Sequence, residues 1–141
     1  MLTVKWFVGD GDLEDVHMIR RVVFMGEQKI SEADEMDGTD HLAQHMVVYK
    51  DDVPAATGRL IMVNGKLHIG RMAVMKEFRG KGYGALTIEY CVQKAKEEGH
   101  KELYASAQVY AKRFYEKSGF MAYGGEYDDA GIPHVMMKRE I

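Results

Sequence analysis

Apolar and polar side chains alternate from Leu2 to Val8, with Leu2, Val4, Trp6 and Val8 on one face, so this stretch predicts a first strand. Asp12 then stands where an N-cap is wanted and Asp15 falls in the first turn. Val16, Ile19, Val23 and Phe24 recur at helical spacing up to about Gly26. The next stretch, SEADEMDGTD, holds five acids and no base and reads as a solvated loop. Its acids Glu32, Asp34, Glu35, Asp37 and Asp40 would also draw a cationic ligand toward whatever they border.

Strand patterns follow in quick succession. HMVVYK and AATGRLIMV are strands joined by an Asp-Asp turn, and Asn64-Gly65 marks a hairpin into KLHIGRMAV. Gly70, inside that last strand, weakens pairing and points to a bulge. Ala85, Ile88, Val92 and Ala95 form one face of a longer helix that Gly99 ends. ELYASAQV is a strand, AKRFYEKSG a short helix stopped by Gly119, and FMAYGGEY with PHVMMKREI a closing pair of strands. The order β-α-β-β-β-α-β-α-β-β predicts an α/β (α+β) protein. Its mixed central sheet would be flanked by helices and contain one βαβ crossover.

The totals narrow the function. A chain of 141 residues without linker, repeat or low-complexity tract suits one domain, residues 1–141. A formal net charge of -3 with no basic run argues against a nucleic-acid partner, and no apolar run approaches the ~20 residues of a membrane helix. The single cysteine, Cys91, allows no internal disulfide and fits a reducing interior. The N-terminal stretch lacks a basic segment followed by an apolar one, so no secretory signal is expected and the reading is cytoplasmic. Eleven methionines indicate an adaptable core or pocket lining.

The chemistry concentrates in EFRGKGYGALTIEY, where Gly80, Gly82 and Gly84 alternate with Arg79, Lys81 and Tyr83 at the start of a helix. Gly80, Gly82 and Ala85 match a dinucleotide fingerprint, but that motif belongs in the first βαβ unit, directly after its strand. A P-loop would need Ser or Thr after Gly-Lys, and Gly82 stands there. A bare flexible turn leaves the bases unexplained. A pyrophosphate cradle of the form Arg79-x-x-Gly82-x-Gly84 explains both, because helix starts leave amides unpaired and glycines let a phosphate approach them.

With that loop in view, MAVMKEFRGKGYGALTIEYCVQKA and SAQVYAKRFYEKSGF resemble the GNAT superfamily of acetyl-CoA-dependent N-acyltransferases. IRRVVFMGEQ, DEMDGTDHL and GIPHVMM resemble its small ElaA-like branch. The resemblance covers nearly the whole chain. It implies that the strand ending at Val74 and the strand from Leu103 run parallel and splay apart around an acetyl-CoA, with no metal. The pantetheine arm would pair near Met72, Ala73 and Val74, and the pyrophosphate would meet the amides of Lys81 to Ala85. Gln108 takes the place where the family often has an Asn.

It further implies direct transfer to a primary amine of a small molecule or peptide, with Tyr115 as the acid for the departing thiol. The base is open: His68 holds the position where many relatives carry a carboxylate, and lone strand histidines are often simply sheet residues. Glu27, Gln28, Glu126 and His134 lie in segments shared with the branch and are candidates for the substrate pocket. The alternative is a CoA-binding sensor or partner module with little or no catalysis; on either reading the chain is a monomer or homodimer. Cys91 beside Val92 reads as a small buried hydrophobe. His41 and His45 lack the Glu of H-E-x-x-H, and the segment around Asp37-Gly38 lacks the acids of a calcium loop.

Overall fold

A computed structural model describes residues 1–9, 12–36 and 38–141; the side chain of Asp34 also lies outside the description. The order of elements is β1 (Leu2–Val8), α1 (Glu14–Arg20), α2 (Glu32–Glu35), β2 (Gln44–Lys50), β3 (Val53–Val63), β4 (Lys66–Val74), α3 (Tyr83–Glu97), β5 (Glu102–Gln108), α4 (Lys112–Lys117), β6 (Met121–Asp129) and β7 (Ile132–Glu140). One seven-stranded sheet runs β1-β2-β3-β4-β5-β7-β6. Among the described residues only β4 and β5 pair in parallel, which makes the sheet mixed. The turns are those the sequence predicts: Asp51 and Asp52 take φ of 49° and 66°, and Asn64 and Gly65 take 51° and 79°.

Two cores lie on opposite faces. Val16, Ile19, Val23 and Phe24 pack on Val47, Tyr49 and Ala73. Ile88, Val92 and Ala95 of α3, with Tyr115 and Phe120, pack on Leu60, Ile69 and Leu103. Asp12 Oδ1 accepts from the Glu14 amide at 3.1 Å, but the residue in the cap position of α1 is Leu13, not Asp12, and no side chain among the described residues caps the helix; its path continues over Arg21–Glu27 in π-helical bonding. The Gln28 amide reaches the Val23 carbonyl at 3.0 Å. Such widening is rare and recurs at functional sites.

Three expectations need correction. In β1 the inward stripe shrinks to Val4 and Trp6, because Leu2 and Val8 sit at the ends of an outer strand and are exposed. Ala85 is exposed, and α3 turns Tyr83, Thr87 and Cys91 inward instead, one step round the helix. The acidic stretch is not simply a solvated loop. It forms α2 and ends in a short 3-10 turn, with Glu35 only 2% exposed. Asp37 is outside the described residues.

The bulge expected near Gly70 is present but displaced by one residue. Arg59 pairs with Gly70 and Thr57 with Ala73, so Gly58 alone faces both Arg71 and Met72. Arg71, not Gly70, takes the left-handed conformation, at φ 47°. The extra residue reverses the parity of β4: Leu67 and Ile69 face the α3 core before it, Met72 and Val74 after it. Gly58 is a glycine because a Cβ there would lie 2.9 Å from Thr87 Cγ2 of α3.

Candidate active site

Parallel pairing between β4 and β5 holds for two residue pairs, His68 with Tyr104 and Ile69 with Ala105. Beyond Ile69 the strands part. Gly70 to Val74 diverge from Ser106 to Gln108, and a cleft of about 150 Å³ opens between them. Gly70, Arg71 and Met72 form one wall and Ser106 and Gln108 the other. Phe24, Gln28, Ile30 and Glu35 close the α1 side, Tyr110, Ala111 and Tyr115 the α4 side, and His134 with Asp129, Ala130 and Ile132 stands at the β6–β7 hairpin.

In the loop that leads from β4 into α3, Gly80 and Gly82 take φ of 76° and 83°, and a Cβ on either would meet nothing within 4 Å. The first bond of α3 runs from the Leu86 amide to the Gly82 carbonyl at 3.0 Å, which leaves the amides of Tyr83, Gly84 and Ala85 without a helical acceptor. Gly84 has a separate structural reason: a Cβ there would lie 2.9 Å from Phe114 Cζ. Arg79 is tied rather than mobile. Its Nε donates to the Val74 carbonyl at 3.0 Å, and its Nη2 pairs with Glu27 Oε2. Lys81 is exposed.

Tyr115 is buried in the cleft wall, and its hydroxyl donates to Met72 Sδ at 3.7 Å. Burial, reinforced by Cys91 and Tyr110, pushes its pKa up to about 12. Burial does the same to the Cys91 thiol, also up to about 12, so this cysteine is an inert core group. Gln108 Nε2 donates to Gln28 Oε1 at 3.1 Å across the cleft. His134 Nδ1 donates to the Ile132 carbonyl at 2.7 Å, and its Nε2 is 4.0 Å from Asp129 Oδ2.

The structure thus brings together Gln28, Met72, Gln108, Tyr115 and His134 in one cleft, while Glu27 and Arg79 pair with each other beside the end of β4. It does not bring in His68 or Glu126. His68 lies where the strands are still paired, its ring 5.7 Å from that of Tyr104, and Glu126 is an exposed residue of the outer strand β6.

Sequence reasoning missed a buried ionic cluster behind the cleft. Arg20 donates to Glu35 Oε1, and through Nη1 to Asp40 Oδ1 at 2.8 Å. Arg59 donates to the same Asp40 oxygen at 3.0 Å, and His45 Nε2 meets the Asp40 carbonyl at 2.9 Å. Burial alone would raise the Asp40 pKa, but the two guanidinium groups hold it well below the usual carboxylate range. Burial lowers the pKa of His45. The signal was present in the sequence, since Arg20 and Arg59 interrupt otherwise inward-facing apolar positions.

The acetyltransferase (GNAT) domain family matches residues 23–141. YyaT of Bacillus subtilis is 35% identical, over 99% of this chain and 97% of its own. ElaA of Escherichia coli is 31% identical over 87% of this chain and 84% of its own, and its crystal structure superposes with a TM-score of 0.86 over 99% of this chain and 100% of that one. An acyl-CoA N-acyltransferase structure from Pseudomonas aeruginosa is 29% identical and superposes with a TM-score of 0.86, covering 99% of each chain.

Proposed function

The chain belongs to the GNAT acetyltransferase family, and from that premise we propose that it transfers an acetyl group from acetyl-CoA directly to a primary amine. The observation that carries this reading is the parting of β4 and β5 after two residue pairs, with the loop into α3 tied to the end of β4 by the bond from Arg79 Nε to the Val74 carbonyl. A parted strand edge offers backbone groups to an extended amide-bearing chain, as a sheet edge does to a peptide. Open space at Gly80 and Gly82, and the amides from Tyr83 to Ala85, suit a diphosphate.

Bound acetyl-CoA would supply a thioester whose carbonyl carbon is the electrophile. Met72, Ala73 and Val74 would orient it along the β4 edge, and a backbone N–H at Ala73 or Val74 would meet the developing oxyanion. Tyr115, protonated through burial, would give its proton to the sulfur as C–N forms and C–S breaks. The proton released by the amine would return to the phenolate through solvent. Holding both partners in one narrow cleft supplies much of the remaining acceleration.

Thiol release from acetyl-CoA, followed across a panel of primary amines, tests the proposal. Thiol released in step with N-acetylated product supports it. CoA binding with background thiol release from every amine would instead mark a CoA-binding module without transfer.

A further inference from the structure

The cleft contains a charged side chain that neither the cradle nor the acid uses. Glu35 ends α2, lines the cleft and is 2% exposed. Its Oε1 accepts from Arg20 Nε, while its buried Oε2 has no hydrogen-bond partner among the described residues. Buried carboxylate oxygens rarely go without a donor, because desolvation costs most for charged groups. A second residue of the cleft is in the same condition: Gln108 Oε1 is buried without a partner among the described residues, its NH2 turned to Gln28.

Glu35 is firmly placed. Its backbone carbonyl accepts from Arg20 Nη2 at 3.2 Å and from Arg71 Nε at 3.3 Å. Arg71 reaches it from the left-handed bulge residue of β4, so the bulge that parts the strands also anchors α2 against them. The anchored groups leave Oε2 as the part of the carboxylate still to be satisfied.

Two acceptors in a confined cleft call for a ligand group rich in donors. A carboxylate or phosphate would be repelled, and a carbonyl would leave both oxygens unmet. A neutral primary amine has two N–H donors and one lone pair. We propose that Glu35 Oε2 and Gln108 Oε1 hold the two N–H groups of the acceptor amine, which leaves its lone pair to attack and selects primary over secondary amines. This rests on the acyltransferase reading above.

The test uses the full chain with acetyl-CoA and three probe amines, tyramine, benzylamine and spermidine. The amine that wild type acetylates fastest is then compared with its N-methyl derivative. Glu35→Gln exchanges a carboxylate oxygen for an amide donor. It is expected to lower kcat/KM for the primary amine by about 30-fold or more, to narrow the preference over the N-methyl amine to under about threefold, and to leave CoA affinity by calorimetry within about twofold. A merely structural role would lower amine and CoA affinity together and keep the preference; that result, or an unchanged kcat/KM, overturns the assignment. If Glu35→Gln does not fold, Glu35→Asp keeps the charge opposite Arg20 but withdraws the oxygen by one methylene, and it must show the same split. Wild type that binds CoA yet acetylates none of the probes fails the acyltransferase reading and this one with it, whereas active wild type with an unaffected Glu35 variant fails this one alone.

Discussion

Tyr115 and Met72 meet across the cleft, the phenol donating to the thioether sulfur at 3.7 Å. Tyr115 comes from α4, and Met72 lies on β4 just past the bulge, so the contact joins the candidate acid to the edge proposed to hold the thioester. With a pKa near 12, the phenol keeps its proton at any working pH and acts as a donor. Tyr115→Phe is expected to lower kcat by about 100-fold while CoA affinity stays within about twofold. Stopped-flow thiol release and calorimetry check the two halves, and equal kcat values for the two proteins would remove the acid role.

His68 sits below the point where the strands part, with its ring against Tyr104. Its replacement by Ala is therefore expected to leave kcat/KM for both substrates within about threefold, the ordinary effect of a surface change. A loss of about 100-fold, with rescue by added imidazole, would restore His68 as the base.

Arg20 is 1% exposed and bonds both Glu35 and Asp40. Arg20→Met leaves two carboxylates facing the interior with a partner removed, and should cost about 3–5 kcal/mol in urea denaturation. Replacing Arg20 and Glu35 together by Met should recover part of that loss. A double variant as unstable as the sum of the two singles would show that the pair is not coupled.

Stability should change with pH at both ends. The Asp40 carboxyl is held below its ordinary value of 3.8, so its contribution is complete above that pH and is lost as pH falls and the folded-state carboxyl takes its proton. Tyr115 works in the other direction. Its folded pKa is raised from 10.0 to about 12, so its contribution is complete below pH 10 and declines as the unfolded phenol ionises above it. Denaturation midpoints should drop below pH 4, and Asp40→Asn should flatten that limb. An acid limb unchanged in the variant would assign it to other groups.

The sheet was legible in the sequence because its turns carry strong local chemistry. Asn64-Gly65 and Asp51-Asp52 adopt the left-handed angles their residue types allow, and β4 spans the nine residues that alternation and turn signals delimit. The bulge was misplaced by one position because Gly70 is the residue that tolerates a left-handed φ most easily. Tertiary contacts decided otherwise, with Gly58 pressed against Thr87 and Arg71 held to the Glu35 carbonyl. Tyr115, Gln108 and the alternating glycines could be read from local motifs. Glu35 could not, because its place in the cleft depends on Arg20, fifteen residues earlier in the chain, and on Arg71, thirty-six later. An acidic run looks solvated until such partners are known.

In the proposed complex the coenzyme lies between β4 and β5 with its diphosphate on the start of α3. Amide chemical shifts recorded while CoA is added to the labelled protein report this placement residue by residue. Saturable shifts are expected in Met72 to Val74, Gly80 to Ala85 and Gln108, and they should be lost in Gly82→Asp, where bulk and negative charge enter the diphosphate site. Saturable shifts confined to other elements, or none at millimolar CoA, would place the coenzyme elsewhere or nowhere on the chain.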